Sequence, residues 1–191
     1  MLSRAILPLF LAAAASAAPG SAPFSLRDTH GATHTNAEWA RSKAVVVYFV
    51  TVDCPVGNSY VPEMNRIHAD YAKRGVLTWA VLADPYVSQA DVTKYAEDFH
   101  YSFPLVIDPV QTLVKRAGAT IMPQAAVFSP DGKLLYLGRI DNKYEDFGKA
   151  RPTATEFDLR NALDAVLAGK PVSPDRTKSI GCAIPQEDYR K

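Results

Sequence analysis

The feature that most constrains this chain is a run of apolar residues that ends at a cysteine–proline pair and is followed by a helical pattern. Residues 45–50 read V-V-V-Y-F-V, a β-branched and aromatic run typical of a buried strand. The run stops at Cys54-Pro55, and a helical pattern begins near Asn58. A sulfur at the N-terminus of a helix lies beside unpaired N–H groups, which favour the thiolate over the thiol. Because the thiolate is the reactive form, this pattern predicts that Cys54 is a nucleophile.

The two ends of the chain differ from its middle. Residues 1–17 contain one arginine, an apolar run and a small-residue A-S-A ending, the pattern of a secretory signal peptide and too short for a membrane span. We therefore expect an exported protein, periplasmic or secreted. Residues 18–170 are predicted to form one domain. Residues 171–191 are predicted to be a tail that carries Cys182.

Charge and metal-binding residues narrow the range of partners. The formal net charge is +1 and there is no basic stripe, so we expect neither nucleic acid binding nor stable membrane association. His30 and His34 are close in sequence but lie in a predicted hairpin, so we expect no metal and no other cofactor. The only cysteines are Cys54 and Cys182, the number needed for one disulfide in an oxidising compartment.

Strands and helices alternate along the predicted domain. The predicted elements are a hairpin within 23–35, the strand 45–50, a helix from Asn58 to Arg74 that contains Pro62, a strand 76–83, a helix capped by Ser88, a short strand 103–107, a helix at 112–117, a hairpin of 124–128 with 134–140, and a last helix capped by Thr155. This order predicts an α/β fold in which helices cover both faces of a central mixed sheet.

The order of elements resembles the thioredoxin fold in its redoxin form, the alkyl hydroperoxide reductase and thiol-specific antioxidant (AhpC/TSA) group. Cys54-Pro55 follows the first core strand at the head of a helix, and Pro62 lies inside that helix. Met122-Pro123 precedes the second hairpin, where this fold places a cis-proline facing the active cysteine. The resemblance covers roughly Pro23 to Gly169 and implies a three-layer arrangement.

More closely, the chain resembles an exported peroxiredoxin-like subgroup. The motifs that carry this resemblance are T-x-D-C-P at 51–55, G-R-I-D at 138–141 and the late pair Gly181-Cys182. Two departures stand out. Gly57 occupies the place of the second cysteine of thioredoxins, and Pro123 falls where peroxiredoxins carry an arginine that stabilises charge on the thiolate and the peroxide. Arg139 is a candidate to replace that arginine in space.

The resemblance implies an exported thiol-dependent oxidoreductase with either peroxiredoxin-like or thiol–disulfide exchange activity. Cys54 is implied to be the attacking thiolate and Cys182 the resolving thiol, and the hydroxyl of Thr51 is placed to hydrogen-bond the thiolate or a bound peroxide. Pro55, Met122 and Pro123 are implied to contact the substrate. The expected partners are a peroxide or a protein disulfide as substrate and an external thiol reductant.

Other interpretations remain open at this stage. Spacing alone does not set connectivity, so Cys182 is a resolving thiol, an unpaired thiol, or one half of a structural disulfide with Cys54 worth about 4–5 kcal/mol. The alternative function is a non-catalytic redox module, or a copper-binding module in which Cys54 and Met122 supply soft ligands. A third possible function is that of a redox-inert interaction domain held by one disulfide.

Overall fold

A seven-stranded sheet forms the centre of the computed structural model, which describes residues 22–185. The strands of this part of the chain are β1 (Ser25–Asp28), β2 (Thr33–Thr35), β3 (Ala44–Val50), β4 (Val76–Leu82), β5 (Leu105–Ile107), β6 (Ile121–Met122), β7 (Gln124–Phe128), β8 (Leu134–Gly138), β9 (Tyr144–Asp146), β10 (Lys149–Ala150) and β11 (Cys182–Ala183). The helices are α1 (Asn36–Trp39), α2 (Pro55–Ala72), α3 (Gln89–Asp98), α4 (Thr112–Ala117) and α5 (Asp158–Leu167).

The central sheet is mixed. Its strand order is β2-β1-β5-β4-β3-β7-β8; β3, β4 and β5 run parallel to one another, and the remaining neighbours are antiparallel. Parallel neighbours need a crossover connection, and α2 and α3 provide the two that join β3 to β4 and β4 to β5. Two small sheets, β9 with β10 and β6 with β11, lie outside the central one.

Strand β3 divides the core into two layers because successive side chains of a strand point to opposite faces. Tyr48 and its alternate neighbours pack with residues of α2, α3 and α5 in one hydrophobic cluster. Phe49 and its alternate neighbours pack with residues of α1 and α4 in a second cluster. Helices therefore cover both faces of a mixed sheet, and the predicted α/β fold class is confirmed.

Two predicted helix starts differ from the observed ones. Helix α2 begins at Pro55 rather than near Asn58, since proline fits the first helical position, where its missing N–H costs nothing. The prediction that Thr155 caps the last helix is wrong. The cap of α5 is Phe157, and Thr155 instead bonds to the side chain of Asn142.

The predicted cap of α3 is confirmed. Ser88 is the N-cap residue, and its hydroxyl accepts from the Asp91 N–H at 3.2 Å. The predicted signal peptide, residues 1–17, lies outside the described residues. Among residues 22–185, none of the helices has the length and apolarity that crossing a bilayer requires.

The segment predicted as a tail is attached to the domain over its described part. The Leu137 N–H donates to Asp175 O at 3.0 Å, and the Ile184 N–H donates to Thr120 O at 2.9 Å. Between these two points β11 pairs antiparallel with β6. The side chain of Ile184 is buried in the second cluster, so the described part of the segment is packed into the core.

Candidate active site

Cys54 lies where strand β3 gives way to helix α2. It is the N-cap residue of α2, with an extended backbone (φ −88°, ψ 107°), and its side chain makes no capping hydrogen bond. The thiol instead donates to Met122 O at 3.1 Å. The Asn58 N–H donates to Cys54 O at 2.9 Å, closing the first turn of the helix beneath the sulfur. Cys54 is completely buried.

The Met122–Pro123 peptide bond is cis, as predicted. Pro123 lies close to the reactive sulfur: a methyl group placed at Gly57 would be 3.8 Å from Cys54 Sγ and 3.8 Å from Pro123 Cδ. Gly57 therefore occupies the narrow space between the cysteine and the proline. A methyl group at this position, where thioredoxins carry a second cysteine, would make ordinary contacts with both residues.

Cys182 is brought to Cys54 by strand β11. It pairs with Met122 across the small β6–β11 sheet, and Met122 O in turn accepts from the Cys54 thiol. Both cysteines are free thiols. Burial raises the pKa of the Cys182 thiol well above its ordinary value, and its interactions with Cys54 and with the charge of Asp53 raise it further. Cys182 therefore holds its proton over a wider pH range than an ordinary thiol does.

The two cysteines differ in access to solvent. Cys54 is 0% exposed, whereas Cys182 is partly exposed. Gly181 allows the strand that carries Cys182 to lie close to Met122, because a side chain at that position would overlap Met122 O. The described part of the tail therefore lies against β6, beside Cys54.

The other predicted site residues take different positions. The Thr51 hydroxyl is buried and donates to Asp53 Oδ1 at 3.3 Å, so its proton is directed to a carboxylate rather than to the sulfur. Pro55 is exposed beside Cys54. The side chain of Met122 packs in the second cluster, across the sheet from Cys54, which lies in the first.

Cys54 and Met122 do not form the soft ligand pair considered for copper, because the carbonyl oxygen of Met122, and not its sulfur, faces Cys54. Within residues 22–185 there is also no group of three or more His, Cys, Asp or Glu side chains arranged to hold a metal ion. His34, one of the histidines considered for a metal, is bonded instead to Asp28 and Glu38, each at 3.1 Å.

Arg139 borders the site but is engaged elsewhere. Its Nε donates to Asp158 Oδ2 at 2.7 Å and its Nη2 donates to Glu156. The hydrogen bond to Asp158 raises the pKa of the Arg139 guanidinium despite partial burial. Arg139 lines a small cleft next to Pro123, but its charge is held at the start of helix α5. It therefore does not occupy the place of the missing peroxiredoxin arginine.

The sequence did not reveal a polar network on the α3 side of Cys54. Asn58 Nδ2 donates to Val52 O at 3.1 Å, and Asn58 Oδ1 accepts from the Tyr95 hydroxyl at 3.0 Å. The hydroxyls of Tyr95 and Tyr101 are 2.8 Å apart. Burial raises the pKa of Tyr95 to about 12; the bond to Tyr101 lowers it, and the charge of Cys54 raises it. These partners are far apart in the chain, and no local pattern links them.

A second such contact lies at the base of the cleft beside Pro123. The Tyr60 hydroxyl donates to Asp141 Oδ1 at 2.6 Å, and burial together with this bond raises the pKa of Tyr60. Asp141 is the last residue of the G-R-I-D motif, so the motif meets helix α2 close to the cysteine.

Comparison with known proteins adds family information to this geometry. The AhpC/TSA family model matches residues 16–137, more than half of the chain. The thiol-disulfide oxidoreductase ResA of Geobacillus thermodenitrificans is 31% identical over 112 residues, which cover 58% of this chain and 62% of that relative. This chain therefore spans less than two thirds of the length of that curated relative.

Solved structures agree on the fold. A hypothetical protein, SMc02350 of Sinorhizobium meliloti 1021, is 30% identical with a TM-score of 0.73, over 87% of this chain and 92% of that one. The exposed lipoprotein thioredoxin Etrx1 of Streptococcus pneumoniae is 22% identical with a TM-score of 0.55, over 61% of this chain and 87% of that one. The predicted thioredoxin-like redoxin fold is confirmed.

Proposed function

The chain belongs to the AhpC/TSA family, and from that premise we propose that it is an exported thiol-dependent oxidoreductase with Cys54 as attacking thiolate and Cys182 as resolving thiol. The observation that carries the proposal is that β11 pairs Cys182 with Met122, whose carbonyl oxygen accepts from the Cys54 thiol. Cys54 is the residue at which helix α2 begins, a position typical of reactive cysteines. Cys182 has a raised pKa and keeps its proton. Export is supported by the signal-like residues 1–17.

The reaction we propose is reduction of a disulfide in two exchange steps. The Cys54 thiolate attacks one sulfur of the substrate disulfide, forming a mixed disulfide and releasing the other substrate sulfur as a thiolate. The substrate thiolate released in the first step takes the proton of Cys182, and the Cys182 sulfur then attacks Cys54 Sγ and releases the second substrate thiolate. The substrate gains two electrons and the protein is left with a Cys54–Cys182 disulfide. An external thiol reductant restores the two thiols.

Access to Cys54 requires movement of the tail. Because Cys54 has no exposed surface while β11 is in place, a substrate disulfide reaches it only when the segment around Cys182 moves aside. Its return brings Cys182 back to Cys54, where it resolves the mixed disulfide. The small β6–β11 sheet has only two residues in each strand, so few backbone hydrogen bonds of that sheet break when it opens.

Thiol–disulfide exchange is favoured over peroxide reduction by the groups around Cys54. A peroxidase stabilises charge on the peroxide with hydrogen-bond donors and a cation. Here the Thr51 hydroxyl donates to Asp53, and the guanidinium of Arg139 is bonded to Asp158. The ResA relative is named a thiol-disulfide oxidoreductase. Peroxide reduction is the second candidate, favoured by the family match and by Thr51 lying three residues before Cys54.

Single-cysteine variants test the assignment of roles. Cys182→Ser is expected to perform the first attack and then stop, so that mass spectrometry after one equivalent of a small aromatic disulfide finds a mixed disulfide on Cys54. Cys54→Ser is expected to lose turnover. Serine keeps the size of the side chain but is a poor nucleophile, which makes each variant the control for the other. The roles are wrong if the adduct forms on Cys182 instead.

The same variants separate the competing functions. Hydrogen peroxide in place of the disulfide is expected to leave Cys54 of Cys182→Ser largely a thiol, whereas a peroxidase would show rapid conversion to sulfenic acid. If Cys182→Ser unfolds while Cys54 of the native protein resists both reagents, the two cysteines form a structural disulfide. In that case the oxidoreductase proposal fails.

A further inference from the structure

Asn58 is bonded to the chain on both sides of Asp53, through its side chain to Val52 and through the first backbone bond of the helix to Cys54. Its side-chain Nδ2 donates to Val52 O at 3.1 Å, and its backbone N–H donates to Cys54 O at 2.9 Å. Residues 51–54 form the turn between β3 and α2, and Asp53 within it is exposed. The two bonds fix this turn to the first turn of α2. They reach the backbone of Cys54 and of the residue two before it.

The amide of Asn58 is oriented in turn by α3 and the loop after it. Its Oδ1 accepts from the Tyr95 hydroxyl at 3.0 Å, and the Tyr95 hydroxyl is 2.8 Å from that of Tyr101. Tyr95 is 4% exposed, and its ring centroid is 4.8 Å from that of Phe99 and 5.5 Å from that of Tyr101. A closely packed ring gives its hydroxyl a fixed position. The Asn58 amide is therefore set so that Nδ2 faces Val52 O.

We propose that Asn58, oriented by Tyr95 and Tyr101, is a positioning residue that holds the turn before Cys54 and keeps the Cys54 sulfur facing Cys182. The proposal rests on the function proposed above. Two thiols that already face each other lose little freedom when they join, so their effective concentration is high. A turn released from Asn58 samples other positions, and formation of the Cys54–Cys182 bond becomes less favourable.

The experiment measures the equilibrium between the full-length protein and glutathione. Oxidised glutathione and the protein dithiol give the protein disulfide and two reduced glutathione molecules. The ratio of protein disulfide to protein dithiol is measured after quenching with acid and alkylation of the free thiols. Tyr95→Phe removes only the hydroxyl that orients Asn58. We expect its equilibrium constant for the protein disulfide to be about fivefold lower than that of the native protein, a loss typical of one buried hydrogen bond.

Tyr71→Phe is the matched control. Tyr71 is 3% exposed, its hydroxyl donates to Arg160 O at 3.2 Å, and it lies on α2 about 25 Å along the helix from Cys54. The control loses a comparable buried hydroxyl and is expected to keep the native equilibrium constant. Thermal unfolding of each reduced variant measures its loss of stability separately, so a redox change that merely followed stability would appear in both variants.

A second variant tests whether the residues act as one chain. Asn58→Leu is expected to lower the equilibrium constant at least as much as Tyr95→Phe, and the double variant no further than Asn58→Leu alone. If Asn58→Leu does not fold, Tyr95→Phe decides the question. Native-like constants for Tyr95→Phe overturn the positioning role while leaving the proposed function intact. Failure of the native protein to form any Cys54–Cys182 disulfide overturns the proposed function, and the positioning role with it.

Discussion

Replacing Gly181 by alanine is the perturbation that most directly tests how the tail meets the active site. A methyl group on Gly181 would overlap Met122 O and lie 2.7 Å from Met122 C and 3.0 Å from Pro123 Cδ. Ordinary contacts between carbon atoms are about 3.5–4.0 Å, so the tail must move away by roughly 1 Å. The obstruction is backbone and a proline ring, neither of which can rotate aside. The displacement therefore falls on β11 and Cys182.

Two effects of Gly181→Ala are expected from this displacement. Overpacking against a fixed backbone costs about 1–3 kcal/mol, measurable as a lower free energy of unfolding in urea. A reacting group misplaced by about 1 Å loses on the order of 10²-fold in rate. We therefore expect the Cys54–Cys182 disulfide to form on the order of 100-fold more slowly after one equivalent of a small disulfide oxidant, followed by quenched-flow alkylation.

Gly57→Ala is the matched control for stability. Its methyl group would lie 3.5 Å from Cys54 Cβ and 3.8 Å from Pro123 Cδ, which are ordinary contacts. Replacement of a glycine inside a helix by alanine is expected to add about 0.5–1 kcal/mol to the free energy of unfolding. The two substitutions add the same atom on either side of the same proline with opposite expected signs. Native stability and native disulfide formation in Gly181→Ala would refute the described packing of the tail.

Three further predictions follow from named contacts. Tyr60→Phe leaves the buried Asp141 carboxylate without its 2.6 Å donor and should lower the free energy of unfolding by about 1–3 kcal/mol, measured by urea denaturation. Burial raises the pKa of Asp28, but its bonds to His34 and to backbone N–H groups outweigh burial and hold that pKa below its usual value. The stability that Asp28 contributes should be present above about pH 4 and be lost as the pH falls further, so the stability difference from Asp28→Asn should shrink in acid. Because Cys54 contributes to the raised pKa of Cys182, alkylation of Cys182 at pH 8 should be faster in Cys54→Ser than in the reduced native protein, measured by mass spectrometry.

The sequence predicted those parts of the fold and site that depend on local patterns. The apolar run before Cys54, the Ser88 cap and the helix at 112–117 each depend on neighbours in the chain, and the structure has all of them. The cis bond at Pro123 followed from the family resemblance. The Thr155 cap failed because Asn142, a residue outside the helix, competes for the same groups.

The remaining parts depend on contacts between distant segments. Strand β11 is two residues long, too short to show any periodicity, and its pairing with Met122 depends on the lack of a side chain at Gly181. The sequence predicted only a tail that carries Cys182; the structure places Cys182 in a strand paired with Met122. The bond between Asn58 and Tyr95 joins helices that are separated by a strand. Patterns within a single element contain no information on such pairings.

In the proposed cycle, the unequal exposure of Cys54 and Cys182 separates the residue that meets the reductant from the residue that attacks the substrate. Once Cys54 and Cys182 are joined, a reductant arriving from solvent meets the partly exposed Cys182 before the enclosed Cys54. In that cycle, attack on Cys182 expels the Cys54 sulfur as a thiolate. Electrons then enter the protein at one sulfur and leave it from the other. We expect the electron donor and the electron acceptor to use different conformations of the tail, and so not to compete for a single surface.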